Sequence, residues 1–77
     1  MIVTFDEGRP VALDGETVSA GEALLLAGQW ARAQGLVDAG ASVVDAGAAV
    51  LAAARRELAA DGGTVRLPGA EQERRAA

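Results

Sequence analysis

Ile2-Val3-Thr4-Phe5 is a β-branched and aromatic run that predicts a first strand, closed by the turn-forming cluster Asp6-Glu7-Gly8-Arg9-Pro10. Val11-Ala12-Leu13 returns as a second strand, with Pro10 at its first position, where a missing N–H falls at the start of the ladder. Asp14-Gly15 fits a two-residue type I′ turn, in which both central residues take positive φ; Glu16-Thr17-Val18 then reads as a short third strand or an extended lead-in. At Ser19 the period changes from two to 3.6. Ser19-Ala20-Gly21-Glu22 has the form of a capping box and predicts a helix over about 20–34, ended by Gly35. Ala23, Leu26, Ala27, Trp30 and Ala33 recur at helical spacing as its expected buried stripe, widened by Leu24, Leu25 and Ala31. Two adjacent leucines are more than one core face of so small a chain takes up, so one of them is expected to meet another chain.

The segment 35–41 is a connector, after which Ser42 and Asp45 form a second, weaker cap. Val43, Gly47, Val50, Ala54 and Leu58 mark one face of the helix that follows, with Leu51 beside it. Gly47 costs roughly 1 kcal/mol against alanine in a helix interior, which leaves open a later start near Gly47 itself. The run 46–54 is almost all small residues and suits a close helix approach. Gly62-Gly63 is expected to end this element, and Thr64-Val65-Arg66-Leu67 reads as one more short strand before Pro68. The charged stretch 69–77 carries no large apolar residue and is expected to be disordered. The expectation is therefore an α+β fold: a single domain over 1–68, a short β-hairpin or meander followed by two α-helices, and a disordered C-terminal tail at 69–77.

Composition changes this picture in two ways. The chain of 77 residues is 51% hydrophobic, but 19 of those residues are alanine and only 20 are Val, Ile, Leu, Met, Phe or Trp. A core of that size rarely supplies more than about 3–5 kcal/mol, and without cysteine or histidine no disulfide or Cys/His zinc site adds to it. Association with a second copy or a larger protein is the expected way to complete the core, through Leu24, Leu25, Trp30, Val50, Leu51 and Leu58. The net charge of −4, with seven arginines and no lysine, argues against a nucleic-acid partner. No run is apolar for long enough to span a bilayer, and the start lacks a basic-then-apolar leader, so a cytoplasmic location is expected. Arginine as the only basic residue, with abundant Ala, Gly and Val, suggests a high-GC bacterial source.

Candidate chemistry is sparse. Asp6 with Glu7, and Asp14 with Glu16, are the closest acidic pairs, and both flank turns, where carboxylates serve local hydrogen bonds. Arg55-Arg56 lies near Glu57 and Asp61 and reads as a solvated, neutralised helix face. Trp30 is expected in the core. No catalytic, cofactor-binding or metal-binding residue is assigned, and no cofactor is expected.

The order of residues carries a resemblance. Val3-Thr4-Phe5-Asp6-Glu7-Gly8-Arg9-Pro10-Val11-Ala12-Leu13-Asp14-Gly15 resembles the V-T-F-x-x-G-x-P-V-A-L-N-G strand pair in the C-terminal half of argininosuccinate synthase. Residues 47–58 look like that family's G-G-T-I-L-x-x-A-H-x-x-L helix, with Arg55 where the pattern has histidine. The family's Ser-Gly-Gly-Leu-Asp ATP loop is missing here, and so is its E-N-R-x-x-G-x-K-S-R-G-x-Y-E stretch, which contributes to citrulline binding. The resemblance thus implies scaffold without a catalytic residue: a non-catalytic accessory module that oligomerises or joins a larger enzyme, as in amino-acid biosynthesis. Two alternatives stand beside it, one chain of a split ATP-dependent ligase of the same type and a small acidic antitoxin-like binder.

Overall fold

The computed structural model describes residues 1–36 and 40–67. The expected disorder of 69–77 lies outside them. Strands β1 (Ile2–Asp6), β2 (Arg9–Leu13) and β3 (Glu16–Thr17) precede helices α1 (Ala20–Ala33) and α2 (Val43–Arg56), and β4 (Gly63–Arg66) follows. The sheet is antiparallel in the order β3-β2-β1-β4, so the fold is α+β with the N-terminal strand in the middle. No helix among the described residues is long and apolar enough to cross a membrane.

Turn chemistry sets the meander. Glu7 and Gly8 have φ of 53° and 75°, and Asp14 and Gly15 have 50° and 87°, so each hairpin closes through two consecutive residues of positive φ. The first turn is thus tighter than the five-residue cluster suggested, and β2 begins at Arg9. The ladder slips at Val11, which lies between the pairs Thr4–Ala12 and Phe5–Pro10. Asp14 ties the second turn to β1. Its N–H donates to the Ile2 carbonyl at 2.8 Å, and its Oδ1 accepts from the Ile2 N–H at 2.8 Å.

The capping box forms as expected. Ser19 Oγ accepts from the Glu22 N–H at 3.2 Å, and Glu22 Oε1 accepts from the Ser19 N–H at 3.0 Å. At the other end Gly35, with φ of 70°, makes a Schellman closure: its N–H donates to the Arg32 carbonyl, and the Leu36 N–H donates to that of Ala31. Ser19→Ala is expected to lower stability by about 1 kcal/mol in urea denaturation. The Ser19 backbone N–H, and after it the Ser19 hydroxyl, hold the Glu22 carboxyl below its usual value. Folding lowers this pKa, so the contribution is full above the ordinary glutamate range of about 4.3 and fades as pH falls through the folded value. Urea midpoints should decline more at acid pH in the wild type than in Glu22→Gln.

Helix α2 starts at Val43 and not at the later position, with Ser42 Oγ accepting from the Asp45 N–H at 3.2 Å. It ends at Arg56, before the Gly62-Gly63 pair expected to stop it, and Leu58 turns back to pack against the core. The chain then crosses beneath the first hairpin, where the Gly8 N–H donates to the Asp61 carbonyl at 2.7 Å, and enters β4.

Both helices cover one face of the sheet. Val3 pairs with Leu13 on one side and Val65 on the other, a row of three side chains with Phe5 next along β1, all buried. Ala23, Ala27, Leu51 and Ala54 meet them from the helices. The helices run antiparallel and almost touch. A Cβ at Gly28 would overlap the Val43 carbonyl oxygen, and one at Gly47 would overlap that of Leu24.

This closeness corrects the expected stripe of α1. Its buried residues are Ala23, Ala27, Gly28 and Ala31, whereas Leu26 and Ala33 are exposed and Trp30 is half-buried. Only small residues fit where α1 is pressed between α2 and the sheet, so the bulky ones move to its flanks.

Candidate functional site

The six side chains expected to meet a partner do not gather on one surface. Leu51 is buried in this chain's own core, contrary to a partner-facing role, because α2 turns it toward Phe5 and Val65. Leu24, Val50 and Leu58 are half-buried and pack against that core. Leu25 remains exposed, at 47%. Trp30 was expected in the core, but it lines a hollow of about 340 Å³ with Met1, Leu13, Asp14, Glu16 and Leu26, over the second hairpin.

Leu25 is joined on the surface by large apolar side chains that periodicity had placed elsewhere or passed over. Leu26, Leu36, Val44 and Ile2 are all exposed, between 38% and 46%. Leu26 was assigned to the core because a leucine at helical spacing outweighs an alanine in any hydrophobic average. The signal that reverses the assignment is the second glycine of α1: Gly28 draws α2 onto its own side of the helix and leaves Leu26 on a flank.

A second hollow, of about 320 Å³, opens where the first hairpin meets both helices. Phe5, Pro10, Leu24 and Leu51 form its apolar wall, with Ala48 and Ala52, and Arg55 reaches its rim. The guanidinium lies against the hairpin turn, so that a Cβ at Gly8 would come within 2.9 Å of its Nη2. The expected neutralisation of Arg55 by Glu57 or Asp61 does not occur as an ion pair. Among the described residues the ion pair that forms is Arg9 with Glu7, at 3.5 Å, between exposed side chains. A third depression, on the far side of Arg55, is lined by Leu58, Ala59, Ala60 and Asp61.

The acidic pairs stay at their turns. Glu7 bonds Arg9 and Asp14 bonds Ile2, and both belong to the local frame. Among the described residues no three His, Cys, Asp or Glu side chains converge on a point, and no polar or charged side chain is buried. Among the described residues the surface thus offers separate apolar patches, an apolar hollow edged by one cation, and a sheet edge at β4 with no strand beside it. Comparison with protein families, characterised proteins and solved structures finds no match to the chain.

Proposed function

We propose that the chain is a non-catalytic association module, similar in its scaffold to part of the C-terminal half of argininosuccinate synthase. It acts in the cytoplasm as a homo-oligomer or as an accessory subunit of a larger enzyme. One observation carries this reading: alanine makes up half of the buried hydrophobic residues among those described, while Ile2, Leu25, Leu26, Leu36 and Val44 are exposed. Val3 is the largest of the fully buried side chains. A fold that leaves as many large apolar residues exposed as it encloses gains by covering them, and association is the direct way to do so.

Size-exclusion chromatography with light scattering tests it. The expected result is a mass above 7.7 kDa that rises with concentration through the micromolar range, accompanied by a concentration-dependent melting temperature. A monomer that melts cooperatively at one temperature regardless of concentration overturns self-association and removes the exposed apolar surface as an argument for a larger partner.

A further inference from the structure

Hydrogen-bond parity along β4 identifies an unused edge. Leu67 and Met1 exchange both bonds, the Leu67 N–H donating to the Met1 carbonyl at 2.7 Å and the Met1 amino group to the Leu67 carbonyl at 2.8 Å. In an antiparallel ladder such pairs recur at every second residue, so Val65 and Gly63 also point their backbone groups at β1. Ile2 agrees with this count, since its N–H and carbonyl turn the other way, to Asp14. The N–H and carbonyl groups of Thr64 and Arg66 therefore face outward, and among the described residues no strand lies beyond β4. A trough of about 470 Å³, lined by Glu57 and residues 64–67, runs along this edge.

We infer that β4 is the seam of a symmetric dimer, in which two copies pair antiparallel about Val65 and join their sheets into one of eight strands. The inference rests on the association reading above and gives it a surface. Self-complementarity argues for a second copy as the occupant. Pairing about Val65 places each Thr64 opposite the partner copy's Arg66, so the two outward residues exchange both bonds. Arg66 is the kind of charge that guards an edge against pairing, yet this register sets it against a threonine and never against its own copy. Each copy also brings one carboxylate, Glu57, and one guanidinium, Arg66, to the trough, so the seam carries equal numbers of both signs.

The register gives the test. Arg66→Pro removes one N–H that points outward and none that bonds β1. It is expected to yield a folded monomer, by circular dichroism and light scattering, at concentrations where the wild type is dimeric. Thr64→Arg sets arginine against arginine twice across the two-fold and is expected to weaken the dimer about tenfold. Adding Arg66→Glu to Thr64→Arg makes both pairs opposite in sign and should restore it. If Arg66→Pro fails to fold, the charge series decides alone. A wild-type dimer indifferent to these changes overturns the β4 seam and leaves the association reading standing, with the helix patches as its surface. A wild type that is monomeric throughout overturns the seam together with self-association.

Discussion

Gly47→Ala is expected to destabilise the fold by about 3 kcal/mol, although helix propensity alone predicts a gain of up to about 1 kcal/mol. The new methyl group would overlap the Leu24 carbonyl oxygen and stand 2.8 Å from its carbon and 3.1 Å from the Gly28 nitrogen. These are backbone atoms of a helix pinned at both ends by its cap and its Schellman closure, so no side-chain rotation relieves the clash. The helices must move apart, and every alanine between them loses contact. Gly28→Ala meets the Val43 carbonyl in the same way, and because either change separates the same two helices, the double variant should cost less than the sum. Gly21→Ala supplies the opposite sign. That glycine also lies in α1 but has open space around it, so alanine there is expected to add about 0.5 kcal/mol. Urea denaturation followed at 222 nm distinguishes them, and a Gly47→Ala variant as stable as the wild type would remove the helix contact from the fold.

What could be read from the sequence was local. The Ser19 box, the Asp14-Gly15 turn and the Gly35 stop depend on neighbours within a few residues, and each forms where the residue types require it. The α+β class and the hairpins followed from these signals together with the change of period at Ser19. The placement of β4 beside β1 did not, because partners such as Val3 and Val65 stand 62 positions apart and no local preference records their pairing. The orientation of α1 failed for a related reason. Periodicity located an apolar stripe but could not weigh three leucines and a tryptophan against four alanines. What turns the helix is Gly28 facing Gly47, a distance between two elements that neither encodes alone. The small run 46–54 held half of that information, and Gly28 the other half. The error carried over to the surface: Leu51, expected to face a partner, is buried, and Leu26, expected in the core, is exposed, as is Val44, which had no assignment.

Phe5→Ala is expected to cost about 3–5 kcal/mol, which for a domain of this size is most or all of its stability. Phe5 is the largest side chain in the buried cluster and is 3% exposed, in the central strand, among Val3, Leu51 and the alanines of both helices. The cavity left behind cannot close readily. Alanines have no length to reach into it, the Gly28–Gly47 contact already holds α1 and α2 at their limit of approach, and β1 is fixed by ladders on both sides. Phe5→Leu keeps most of the volume and should cost about 1–2 kcal/mol. Ile2→Ala, on the opposite and open side of the same strand, should cost less than about 1 kcal/mol. At roughly 4–8 °C of melting temperature per kcal/mol, thermal circular dichroism separates the three. If the chain associates as proposed, the weakened variants should recover melting temperature as concentration rises, since mass action then adds to folding what the core has lost. A Phe5→Ala protein that melts within a few degrees of the wild type would mean that the sheet–helix interface is not where the stability resides.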